Sequence, residues 1–179
     1  MNVKINLRFD GTNYHGWQIQ PGKPTVQGIL SEAVYQITGQ RVTVHGCGRT
    51  DSGVHALDYT ASFETDSTIP VDRIPFALNS KLPEDIVCTS AVCVEPDFTA
   101  NRSAVAKTYR YTIDNNEFAD IFLQRFAWHY KYPLDEKLMQ KAADAFIGTH
   151  DFAGFASSGF TVKTTVRTIH SLKAEKIIT

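Results

Sequence analysis

The sequence predicts an α+β protein whose first half is a split β-α-β-β-α-β unit, followed by a second α/β unit that is incomplete. Three observations carry this. Val3, Ile5, Leu7 and Phe9 alternate with Lys4, Asn6, Arg8 and Asp10, the period of a strand with one apolar face. Val26, Ile29, Leu30, Ala33, Val34 and Ile37 then recur at helical spacing. Strand-like runs follow at 41–45, around Tyr59, Ala61 and Phe63, and at 86–94, with a second helical stretch at 71–81 between the last two.

Each element has its own local reasons. Thr25 is placed to cap the first helix and Gly39 to end it. RVTVH (41–45) reads as a second strand running into a glycine-rich loop, GCGRTDSGVHA (46–56). Pro75 lies near enough the start of the second helix to be tolerated. This element order is the ferredoxin-like one, in which both helices cover one sheet face. The polar side chains of the first strand are then expected to line an open platform on the other. Residues 1–104 form this unit and 105–179 the partial second one. In the latter, 105–113 (VAKTYRYTI) and 125–130 read as strands. A helix follows with Leu134, Leu138, Ala142 and Phe146 on one face, ended by Gly148. A loop from His150 leads to a long strand from Thr164 to Ile178, expected to pair with something further on.

Composition bounds the function. The 179 residues are 42% hydrophobic with a net charge of −1, so an anionic partner must be held by a local patch. The N-terminus alternates polar and apolar residues, unlike a signal peptide, and no run is long enough to span a bilayer. Three cysteines, Cys47, Cys88 and Cys93, argue against a disulfide framework and for a reducing compartment, hence a cytoplasmic protein. Their spacing lacks the ligands of a metal site, so no metal is expected.

The glycine loop carries the chemistry. Three glycines in eight residues cannot build a core; they serve sharp turns and close backbone approaches. Arg49, Asp51 and His55 are therefore displayed rather than buried. RTDSG also fits a plain tight turn in which Arg49 neutralises Asp51. A carboxylate held ionised by a guanidinium suits covalent or acid–base chemistry, and spacing alone does not choose between these. Without further information Tyr109, Tyr111, His15 and Trp17 read as packing residues, and Lys107, Arg110, Lys163 and Arg167 as solvated surface.

GCGRTDSGVHA resembles the signature of the tRNA pseudouridine synthase A (TruA-type) family. FDGTNYHGWQIQP (9–21), TVQGIL (25–30), KTYRYTI (107–113), HDFAGF (150–155) and KTTVRTI (163–169) also fit that family, in order along the chain. The resemblance implies an isomerase that converts uridine to pseudouridine at positions 38, 39 or 40 of the tRNA anticodon stem-loop. It implies no cofactor, a homodimer with tRNA spanning both subunits, and a cleft between two α/β units. It assigns Asp51 as the catalytic residue, Tyr109 as the aromatic partner of the target base, and Arg49 as the arginine that helps open the RNA and pairs with the aspartate. Lys107, Arg110, Lys163 and Arg167 become candidates for contacts to the RNA backbone. His55 stays outside the catalytic set.

Two departures stand out. The family usually reads FHARFSA where this chain has FTANRSA (98–104), so Thr99 and Asn101 replace a histidine and an arginine, and Arg102 sits one place along. Family members also continue past the position of Thr179 to a segment whose basic residue pairs with the catalytic aspartate. The expectation is a C-terminally truncated chain that folds at least through residue 113, binds tRNA weakly, is catalytically impaired, and leaves Val166, Ile169 and Leu172 incompletely covered. The alternative function is a non-catalytic RNA-binding module of the same fold. A glycoside-processing enzyme would need a second carboxylate opposite Asp51, and no motif supplies one.

Overall fold

The structure is a computed structural model that describes residues 1–156 and 164–177. The chain divides into two compact units, Met1–Tyr109 and Arg110–Thr179. The division falls after Tyr109 rather than after Ala104, because Lys107 lies against Gly48 of the first unit.

The first unit is built on β1 (Asn2–Phe9), whose alternation does what it predicts: Val3, Ile5 and Leu7 are fully buried and Phe9 nearly so. Helix α1 (Val26–Thr38) starts at Thr25, whose hydroxyl accepts from Gly28 N at 3.3 Å, and ends at Gly39 with φ 71°. That left-handed value is inexpensive only for glycine. β3 (Ala56–Glu64) buries Tyr59, Ala61 and Phe63, and β4 (Ile86–Val94) buries Ile86 and Cys88. A 3-10 turn at Val71–Arg73 leads into α2 (Ile74–Asn79), with Pro75 in its first turn, where no intrahelical donor is lost. With β2 (His45–Gly46) the strands form one antiparallel sheet in the order β2-β3-β1-β4. Side chains from α1 (Val26, Leu30, Val34) and α2 (Ile74, Leu78) share one core with the apolar face of the sheet. Burial pushes the Cys88 thiol pKa up to about 11, so it behaves as a small hydrophobe.

Two expectations for this unit change. The second strand is two residues long rather than spanning 41–45: the Val44 carbonyl is taken by the side-chain amide of Gln27 at 2.9 Å instead of a strand partner. Val44 is still buried. The polar sheet face is not wholly open either. The Asn2 amide donates to the carbonyls of Glu95 and Phe98, and Ala100 N donates to the Ser62 hydroxyl, so residues 95–100 cover that end and bury Ser62.

The second unit departs further from its periodicity. β5 is only Ile113–Asp114 and pairs in parallel with β6 (Trp128–His129). Val105, Tyr109 and Tyr111 are 98%, 75% and 94% exposed, so the alternation at 105–113 has no surface to bury against. Asp114 ends the strand by accepting from Asp120 N, Asn116 N and the Asn116 amide, which turn the chain. These bonds, led by that from Asp120, hold its carboxyl below the usual range. A turn through Asp120–Ala127 replaces the first part of the strand expected at 125–130. Its aromatic alternation survives as ring contacts from Trp128 to Tyr130 to Tyr132.

Helix α3 (Glu136–Asp144) is capped by Asp135, which accepts from Lys137 N and Leu138 N. It ends at Ala145, before Gly148. Its inward side is not the expected stripe: Leu138 and Ala142 are exposed, whereas Ala143 is buried and Gln140 is half-buried. The Gln140 amide donates to Leu172 O and accepts from Ala174 N, so the C-terminal stretch is held by a side chain and not as a strand. Accordingly β8 is only Val166–Ile169, and its partner is the preceding β7 (Gly148–Asp151), a segment expected in part as loop. The Asp151 carboxyl is held below the usual range by the Thr165 hydroxyl and then by Ala153 N. Ile178 and Thr179 lie outside the described residues.

Leu30, fully buried under the sheet, makes the first unit testable. Leu30→Ala should destabilise it by about 2–5 kcal/mol. Amide exchange of β1 under increasing urea measures this, and an unchanged profile would contradict the assigned core.

Candidate active site

The glycine loop is held by the loop that follows β1. Trp17 N donates to Thr50 O at 3.2 Å, and Gly53 N and the Ser52 hydroxyl both donate to Tyr14 O, at 3.1 and 3.3 Å. At the far end, His55 Nδ1 lies 3.1 Å from Gly11 N, which donates to it, and 3.0 Å from Asp10 Oδ1. At the near end, Cys47 N donates to Thr60 O, and the Tyr59 hydroxyl donates to Gly48 O. The two segments read separately as motifs, 9–21 and 46–56, are thus one bonded assembly.

Glycine is needed where these backbones meet. A Cβ on Gly16 would run into the Thr50 carbonyl, and one on Gly11 into the Val54 carbonyl. One on Gly46 would strike the Trp17 ring and the Tyr59 hydroxyl, whose rings lie 4.5 Å apart. Trp17 and Tyr59 are both buried, and burial, followed by the neighbouring Cys47, pushes the Tyr59 hydroxyl pKa up. Tyr14 is anchored in the same way: its hydroxyl donates to Asp85, and burial and then that carboxylate raise its pKa. Asp10 N donates to Asp85 O, which ties the start of the assembly to the residue before β4.

On this support Asp51 is displayed. It is exposed; its backbone carbonyl accepts from Val54 N, closing the turn at Gly53 (φ 79°), while its carboxylate accepts no hydrogen bond among the described residues. Arg49 is exposed too, and no ion pair joins it to Asp51. The Thr50 hydroxyl between them is buried with no partner. Tyr109 is 75% exposed and bonded to neither Asp51 nor Arg49, though Lys107 of the same segment reaches the loop at Gly48.

The remaining candidates fall as follows. His15 is exposed, while Trp17 is a buried brace. In the departing FTANRSA segment, Asn101 and Arg102 are exposed and the Thr99 hydroxyl is buried without a partner. The Arg167 guanidinium donates to Thr164 O and Val166 O. Lys163 lies outside the described residues. Among those described, no cluster of His, Cys, Asp and Glu is arranged to hold a metal, and no helix is long and apolar enough to cross a membrane. Sequence reasoning overlooked Tyr59 and Asp85 as supports of the loop. Tyr59 has a strand-core pattern that hides its hydroxyl bond, and Asp85 carries no local signal at all.

A surface carboxylate on a braced turn, with an arginine two residues away, suits attack on or proton removal from a bound substrate. Comparison with known proteins agrees on where this segment belongs. The family described as tRNA pseudouridine synthase matches residues 6–101. The chain is 47% identical over 175 residues to tRNA pseudouridine synthase A of Thermoanaerobacter sp. (strain X514), covering 98% of this chain and 72% of that protein. It is 48% identical over 168 residues to the protein of that name from Caldicellulosiruptor saccharolyticus, covering 94% of this chain and 69% of the relative. The Brevibacillus brevis protein of the same name is 44% identical over 175 residues, with 98% and 72% covered. Identity sustained at this level across nearly the whole chain leaves one reading: this chain belongs to the tRNA pseudouridine synthase family.

Proposed function

We propose that this protein isomerises uridine to pseudouridine in tRNA, with Asp51 as the catalytic residue. The observation that carries the reading is the exposed Asp51 carboxylate, which accepts no hydrogen bond among the described residues, on a turn clamped through Thr50 and Gly53 to the Tyr14–Trp17 backbone. The reaction breaks the N1–C1′ bond, turns the uracil over and joins C5 to C1′; C5 gives up its proton and N1 gains one. No electrons or atoms need an outside donor, so the chemistry calls for no cofactor. Asp51 adds to the sugar or base or removes a sugar proton, and each role requires an ionised carboxylate open to a uridine taken out of its stack.

Extrusion of a paired base costs a few kcal/mol. Stacking on an aromatic ring returns about 1–3 kcal/mol, and Tyr109, exposed on the segment that reaches the loop through Lys107, is the ring for it. Arg49, exposed beside Asp51, supplies positive charge to the RNA. The finer parts of the proposal follow the motif resemblance: uridines 38, 39 and 40 of the anticodon stem-loop, a homodimer, and a cytoplasmic setting. The strand order β2-β3-β1-β4 supports reading the first unit as ferredoxin-like.

Tritium released from tRNA labelled at uridine C5 measures the reaction. In a form extended to the length of its relatives, Asp51→Asn should fall to background while tRNA binding is largely kept; near-normal release would remove Asp51 from its role. Binding without release, both by this chain and by a form extended to the length of its relatives, would favour an RNA-binding module instead. Tyr109→Phe should keep most tRNA affinity and Tyr109→Leu should lose several-fold, in line with the stacking term. Equal behaviour of Phe and Leu in binding and turnover would leave the side chain no part in holding the base. Sedimentation should give twice the chain mass; a monomer at assay concentration would overturn the dimer.

A further inference from the structure

We infer that Lys107 contacts an RNA phosphate at the catalytic loop, and that position 48 is glycine in order to seat it. The inference deepens the tRNA-modifying reading above and rests on it. The glycines of the assembly differ in what they make room for. Gly11 and Gly16 admit a crossing backbone, Gly46 admits the Trp17 and Tyr59 rings, and Gly53 takes a left-handed φ. Gly48 does none of these. Its φ lies outside the left-handed region, and the three atoms nearest to a Cβ there all belong to Lys107, with Nζ at 2.5 Å, Cε at 3.0 Å and Cδ at 3.8 Å. The space left by the missing side chain is filled by an ammonium and its stem.

That ammonium is not neutralised by the protein. Lys107 is exposed, and among the described residues it forms no ion pair. Arg49, next to Gly48 in the chain, is also exposed and likewise forms no ion pair among the described residues. In a chain of net charge −1 this puts two cations with no ion pair among the described residues at one loop, Arg49 two residues before Asp51 in sequence and Lys107 brought in against Gly48. A compact ammonium suits phosphate oxygens as a point charge, and an RNA backbone brought to Asp51 carries phosphates past this loop. Seating the stem over Gly48 limits the rotamers that a solvated lysine would otherwise lose on binding.

Equilibrium binding of an unmodified tRNA transcript across a salt series tests this. Each phosphate contact contributes about 0.7–0.9 to the slope of log K against log salt. Lys107→Met should make the slope shallower by about that amount, with Lys107→Gln agreeing and Lys107→Arg restoring it. Gly48→Ala should weaken binding in the native background, by displacing Lys107, and have no further effect in Lys107→Met. A native slope in Lys107→Met overturns the phosphate contact. Equal weakening by Gly48→Ala in both backgrounds, no weakening in either, or a Gly48→Ala protein that fails to fold overturns the seat. If the unaltered chain shows no salt-dependent tRNA binding, the proposed substrate itself falls, and this inference with it.

Discussion

The site depends on one backbone clamp, in which Trp17 N–H and Tyr14 O on one loop bond Thr50 O and Gly53 N on the other. Neither loop has a regular element of its own to fix it. Each supplies the partners that the other's backbone groups would lack once water is excluded from their contact. The close approach holds only while Gly11 and Gly16 carry no side chain, since a Cβ at either would enter a carbonyl of the facing loop. The buried Trp17–Tyr59 pair then fills the space behind, and the Tyr59 hydroxyl fastens Gly48 O from below.

This division of labour explains how the Asp51 carboxylate can stand in solvent while the turn that carries it is held in place. Its precision comes from the main chain at Thr50, Ser52 and Gly53, not from partners of the carboxylate itself. The His55–Asp10 contact closes the far end of the clamp, which gives this histidine a place in the support of the loop.

The first unit also keeps two cations out of its ion pairs. Its ion pairs at Arg41–Glu32 and Arg73–Asp72 are solvent-exposed and contribute little. Among the described residues Arg49 and Lys107 are left out of such pairs, and Lys107 reaches the loop at Gly48, next to Arg49. The second unit is organised by polar side chains in place of a large core: Asp114 folds the chain back after β5, and the Gln140 amide holds the C-terminal stretch. Phe146, Phe152 and Phe155 form its aromatic cluster.

By itself the sequence determined the elements whose signal is local. The alternation of Val3, Ile5, Leu7 and Phe9, the Thr25 cap and the Gly39 stop are satisfied within a few residues, so periodicity and propensity suffice to read them. The family was legible for a similar reason, because GCGRTDSGVHA must keep its residues in a fixed spacing to turn and display Asp51. Only the tertiary structure decided what a strand pattern would pair with. Val44 O goes to Gln27, Asp114 turns the chain, and α3 faces inward with Gln140 and Ala143 in place of Leu138 and Ala142. It also decided which glycine serves which neighbour, since the side chain that fills the space over Gly48 comes from Lys107, far along the chain. Such choices depend on which distant donor, acceptor or ring arrives at a given atom, and no local periodicity encodes that.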